Sequence, residues 1–253
     1  MGWVDVDGVK LEVSRVGDRR SGQPGILLLH EGLGSVRLWK DFPEALAAVT
    51  GCEVVAYSRR GYGASDPRPL PWPVGYMHEE AELLPAILAA LGLTDVVAFG
   101  HSDGASIAII AAGGGTFPGL RGLVLESPHV FCEPWGLAEI RRAGVAYRET
   151  DLRERLARYH DRVDVAFFGW HDAWTHPDFE RWNLEEYLPG IDVPTLLIQE
   201  EGDPYGTLAQ IDAIESQVSG RVERLILPGE GHAPHRDHRD AVLAAAARFI
   251  GTL

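Results

Sequence analysis

Three polar residues that lie far apart in the chain could together perform nucleophilic chemistry: Ser102, Asp203 and His232. A serine hydroxyl is a weak nucleophile until a base takes its proton, and a carboxylate on the far side of an imidazole holds that base ready. Ser102 sits in Gly100-His101-Ser102-Asp103-Gly104, the pattern G-x-S-x-G. With 29 glycines in the chain the pattern alone says little. Its context says more. The apolar run VVAF (96–99) precedes it and the small-residue run ASIAII (105–110) follows. A strand, a sharp turn and a helix would present the serine at the corner, with glycines where the two backbones crowd together. The competing reading is a glycine-rich turn with a capping serine. His232, in LPGEGHAPHRDH, follows the last apolar run and precedes the final helical stretch; His235 and His238 are rivals nearer that helix. Asp203, in LIQEEGDPYGT, lies just beyond another apolar run, with Glu200, Glu201 and Glu126 as other acids. The expected oxyanion donors are the main-chain N–H groups of Asp103 and of Gly32 in LLLHEGLGS.

Those residues need elements to position them. Strands are expected over 10–16, 26–30, 53–58, 96–100, 123–127, 195–199 and 223–228. The later runs are continuously apolar, as strands covered on both faces are, which implies a largely parallel sheet. Helices are expected over 36–50, 76–91, 103–113, 207–218 and 237–250. In the second, Leu83, Leu84, Ile87, Leu88 and Leu91 form the expected apolar stripe. This alternation is that of an α/β protein, whose ligands bind beyond the carboxyl ends of the strands.

Residues 133–190 contain no good strand and hold Trp135, Trp170, Trp174 and Trp182, four of the seven tryptophans. We read this segment as a helical cap inserted into a core made of 1–132 and 191–253. Glu31, His129, Trp135 and Trp170 are candidate pocket residues, although aromatic side chains in such a segment can equally serve as its own core. Asp103 suits the first turn of a helix, and His101 is expected to pack behind the turn.

The composition narrows the partners. The formal charge is −14, which disfavours nucleic acid, and no basic cluster suggests a membrane surface. Two cysteines suggest a cytoplasmic setting, and the first residues do not read as a signal peptide. No metal site, phosphate loop or dinucleotide fingerprint is evident, so no cofactor is expected.

The order LLLHEGLGS, YSRRGYGASD, GHSDG, a helical insertion, LIQEEGDPYG and GEGHAPH resembles the α/β-hydrolase superfamily over about residues 3–250. It is most similar to small bacterial capped hydrolases, which include carboxylesterases and carbon–carbon bond hydrolases. The resemblance implies an α/β-hydrolase fold, a mostly parallel central sheet flanked by helices with a helical cap. It implies cleavage of an ester or thioester of a small to medium apolar or aromatic substrate through an acyl-serine. Alternatives are C–C bond hydrolysis of a vinylogous diketone, a non-hydrolytic lyase or oxygen chemistry without a cofactor, and a non-catalytic binder. The chain departs from many relatives at Glu31, where they carry glycine, and at Ser58, where they often carry aspartate. A Glu31 carboxylate that points in would oppose the oxyanion or need a cationic partner; one that points away would pair with Arg37, Arg59 or Arg60, and the second arrangement is the expectation.

Overall fold

A computed structural model describes residues 1–18 and 22–253. Eight strands form one sheet: β1 (Gly2–Val6), β2 (Val9–Val16), β3 (Gly25–Leu29), β4 (Val54–Tyr57), β5 (Val96–His101), β6 (Leu120–Glu126), β7 (Thr195–Glu200) and β8 (Val222–Leu227). Their spatial order is β1-β2-β4-β3-β5-β6-β7-β8. β1 and β2 pair antiparallel with each other and β2 antiparallel with β4, while the other neighbours are parallel. All seven expected strands are present. β1 was not expected.

Alternation along β3 explains why its sequence does not alternate. Ile26 and Leu28 face one apolar layer, with Leu46 of α1 (Phe42–Thr50) and Phe249 of α9 (Arg239–Ile250). Leu27 and Leu29 face the other, with α2 (Tyr76–Leu91) and α3 (Asp103–Gly113). Both faces are dry, so both sets are apolar. On α2, Leu84, Ile87, Leu88 and Leu91 are buried as expected, but Leu83 is 38% exposed. Leu83 lies on the flank of the stripe, where no element covers it. The helix expected over 36–50 is divided at Lys40, whose φ of 52° ends a 3-10 turn before α1 begins.

Between β6 and β7 run α4 (Pro134–Glu149), α5 (Leu152–Leu156), α6 (Val163–Trp174) and two 3-10 turns. The segment leaves and rejoins the body through adjacent main chains. Phe131 and Asn183 form an isolated antiparallel bridge, and the N–H of Cys132 donates to the Trp182 carbonyl at 3.2 Å. After β7 come α7 (Leu208–Gln217), β8, and the short α8 (Pro234–Asp237) that leads into α9. Among the described residues no helix is long and apolar enough to cross a membrane.

Candidate active site

The sheet changes its winding direction beside β3. β4 lies on one side of β3 and β5 on the other. Loops leaving the carboxyl ends of β3 and β5 part at this point and leave a crevice between them. Ser102 stands there, immediately after β5, with φ 53° and ψ −118°. Such a conformation costs a non-glycine residue about 1–3 kcal/mol and persists only where its surroundings hold it. The Ser102 N–H donates to the Glu126 carbonyl at 2.9 Å, and its own carbonyl accepts from Ala105 and Ser106 at 2.9 and 3.0 Å. The flanking glycines are steric necessities. A Cβ on Gly100 would lie 2.6 Å from the Ala105 Cα, and one on Gly104 would lie 2.0 Å from the Leu29 carbonyl oxygen.

The loops after β7 and β8 bring Asp203 and His232 to this corner. His232 Nε2 is 2.9 Å from Ser102 Oγ, and His232 Nδ1 is 2.9 and 2.7 Å from the two Asp203 carboxylate oxygens. Burial by itself would raise the Asp203 pKa. The facing His232, its hydrogen bond, His129 and the Tyr205 N–H outweigh burial, so the carboxyl lies below its ordinary value. The rival residues are engaged elsewhere. His235 Nδ1 meets Glu126 at 2.8 Å, and Glu200 accepts from the Gly231 N–H at 2.7 Å. Glu201 is exposed.

Ser102 opens on a cavity of about 220 Å³. Gly32 and Asp103 line it, and among the described residues neither main-chain N–H donates to a protein acceptor. Its apolar wall comes from the inserted segment, through Leu137 and Ile140 of α4 and Trp170 and Trp174 of α6. The Trp170 indole nitrogen lies against Gly32, 2.1 Å from where a Cβ would stand.

The match to known proteins agrees with this geometry. Residues 26–246 match the model of the alpha/beta hydrolase family. The chain belongs to that family. The chain is an enzyme of the hydrolase class. It is 28% identical over 268 residues to N-formylmaleamate deformylase of Pseudomonas putida, covering 98% of this chain and 96% of that protein. It is 29% identical over 236 residues to the serine hydrolase BPHL of Mus musculus, covering 90% and 78%. The enol-lactonase from Burkholderia xenovorans superposes with a TM-score of 0.74 at 20% identity, covering 99% and 100%, which is a likeness of fold.

Several side chains of this hydrolase lie where the sequence did not put them. Trp135 is 53% exposed and outside the cavity wall, because it starts α4 on the solvent side. Trp174, four residues after Trp170 and so on the same helical face, takes part instead, a spacing readable in the sequence. Tyr205, on the loop after β7, and Arg236, on the short α8, also line the cavity; the sequence specifies neither the course of that loop nor where so short a helix points. Asp103 stands in the first turn of α3, as expected. Its carboxylate is buried, accepts from the Tyr76 hydroxyl and lies 3.5 Å from the Arg59 guanidinium. Burial raises its pKa against the pull of Arg59. The Trp174 indole donates to the same Tyr76 hydroxyl at 3.0 Å, which ties α6 to the serine turn.

Glu31 pairs with none of the three arginines. Its carboxylate meets His101 Nδ1 at 3.2 Å and lines the cavity. Arg59 is held by the main-chain oxygens of His30 and Glu31, Arg37 by Glu12 and Asp161, and Arg60 by the Pro67 carbonyl. His129 does line the cavity, with its ring centroid 5.6 Å from that of His232. Burial pushes its pKa down to about 4, so the ring is neutral. Its Nε2 donates to the Tyr205 carbonyl at 3.3 Å, which leaves Nδ1 as an acceptor without a protein partner among the described residues.

Among the described residues, His101, Glu126 and His235 bring metal-ligating atoms within 4.8 Å of one another. Each is already satisfied. His235 takes Glu126 through its ring and main-chain N–H, and His101 bonds to Glu31 and to the His232 carbonyl.

Proposed function

We propose that the chain is a serine hydrolase that cleaves a carboxylic ester or thioester of a small to medium, apolar or aromatic substrate through an acyl-serine. The observation carrying this reading is the continuous contact from Asp203 through His232 to Ser102 Oγ at the wall of a mostly apolar cavity. Ser102 Oγ attacks the substrate carbonyl as His232 Nε2 takes its proton. Asp203 keeps the other proton on Nδ1 and stabilises the imidazolium. The N–H groups of Asp103 and Gly32 receive the negative oxygen of the tetrahedral intermediate, and the first turn of α3 adds its dipole. His232 then protonates the departing alcohol or thiol. A water, deprotonated by the same ring, releases the acid.

The covered insertion 133–190 acts as a cap that selects substrates by width. A cytoplasmic setting with a small-molecule substrate belongs to the same reading. A second reading is cleavage of an N-acyl amide such as an N-formyl group, favoured by the full-length similarity to a deformylase. Only the leaving group would differ.

Intact mass after exposure to a fluorophosphonate tests the common core of both. One adduct on wild type that Ser102→Ala abolishes supports it. Absence of an adduct on folded wild type overturns it. Turnover of short p-nitrophenyl esters against formate release from N-formyl amides then separates the two.

A further inference from the structure

We propose that Glu31 and His101 form a charged strut that positions His232 through the main-chain carbonyl of His232 itself. This rests on the reading that Ser102 and His232 perform the chemistry. His101 Nδ1 faces the Glu31 carboxylate at 3.2 Å, and His101 Nε2 faces the His232 carbonyl oxygen at 2.6 Å. A carboxylate and a carbonyl can only accept. Both ring nitrogens must therefore donate, and the ring is an imidazolium. It is 1% exposed, so no water substitutes for either partner.

The connection links parts of the chain that are remote in sequence. His101 precedes Ser102 at the end of β5, and His232 follows β8. A single ring thus couples the turn that holds the nucleophile to the loop that holds the base. Glu31 lies beside Gly32 and fixes the third edge of the site. Other groups around His101 are accounted for. Glu126 on β6 is occupied by His235, whose ring on α8 lies 5.1 Å from that of His101. The His232 ring is 5.3 Å away and the Trp39 ring 6.3 Å. Arg236 lines the same wall as Glu31 and pairs with Asp237. Burial pulls the His101 pKa down, yet Glu31 and Glu126 raise it to about 9.

The charge is what keeps both contacts. A neutral ring has one proton. With Glu31 ionised, its lone pair would then face either the carboxylate or the carbonyl, and the strut would open. A glutamine at 31 removes that conflict, because its amide N–H can donate to Nδ1 while Nε2 keeps its proton on the carbonyl.

The test is the rate of Ser102 labelling by a fluorophosphonate from pH 6 to 10.5, together with nitrogen-15 shifts of the His101 ring. Wild type should lose rate above a pH near 9 and should carry two ring protons at pH 7.5. Glu31→Gln should remove that alkaline limb and leave one ring proton, on Nε2. His101→Asn, too short to span both partners, should label at least about tenfold slower with no such limb. A Glu31→Gln profile that superposes on wild type overturns the strut. So does a singly protonated His101 in wild type at pH 7.5. Wild type that takes no label overturns the Ser102 reading, and the strut falls with it. Should His101→Asn fail to fold, Glu31→Gln and the ring shifts decide alone.

Discussion

Asp203 reaches Ser102 only through the His232 ring between them. Asparagine at 203 would keep the side-chain shape but offer an N–H where His232 Nδ1 needs an acceptor. The ring would turn to the wrong tautomer and could not take the serine proton. Asp203→Asn is expected to lower kcat by about 10³–10⁴-fold with little change in melting temperature, measured on an ester that wild type turns over. Asp203 could be read from the order serine, acid, histidine and from its loop beyond β7. The partner of Glu31 could not. His101 lies 70 residues away, and its role depends on the strand ending where its ring turns toward the β3 loop. Nor could the sequence show that Ser58 stands beside the buried carboxylate of Glu12, to which its hydroxyl donates at 2.8 Å. Glu12, on the neighbouring strand β2, supplies the carboxylate at this corner.

At the scale of elements, two glycines make a contrast. Gly104, the second residue of α3, faces the β3 backbone so closely that an alanine Cβ would meet the Leu29 carbonyl and must force strand and helix apart. Gly104→Ala is expected to cost about 3 kcal/mol or more in urea unfolding, since neither backbone can yield. Gly8 has φ 81° and open space around it, so Gly8→Ala pays only the backbone term, about 1 kcal/mol. An equal loss from the two substitutions would contradict this account of the elbow. Gly8 also accounts for β1. Asp7-Gly8, both with positive φ, form the two-residue turn between Val6 and Val9. Asp-Gly is a strong hairpin signal and was available in the sequence, but five residues at the chain start lack a periodic apolar pattern. The central strands were legible because burial on both faces leaves an unmistakable apolar run. The break at Lys40 was not, since a lysine carries no mark of a left-handed residue.

For the whole molecule, buried histidines shape stability against pH in opposite senses, as His129 and His101 illustrate. His129 has its pKa depressed to about 4 from 6.5, so the unfolded chain binds the extra proton between these values and stability rises with pH across them. His101 has its pKa raised to about 9 from 6.5, so the folded chain holds the extra proton there and stability falls as pH rises through that window. Urea midpoints between pH 4 and 9.5 should therefore peak near 6.5. His129→Gln should lessen the acid-side slope, to which His30 and His160, also lowered by burial, contribute in the same sense, and Glu31→Gln should flatten the alkaline side. A monotonic curve would show that these two rings do not govern the profile. The paired main chains at Phe131 and Asn183 have a different consequence. Because the insertion departs and returns one strand spacing apart, about 4.8 Å, everything between is a cassette on a closed neck. Its length can change at that neck without a break in β6 or β7, but any change in it reaches the turn of Ser102 through Trp174, Tyr76 and Asp103. The piece that walls the cavity is thereby also the piece that braces the serine's corner.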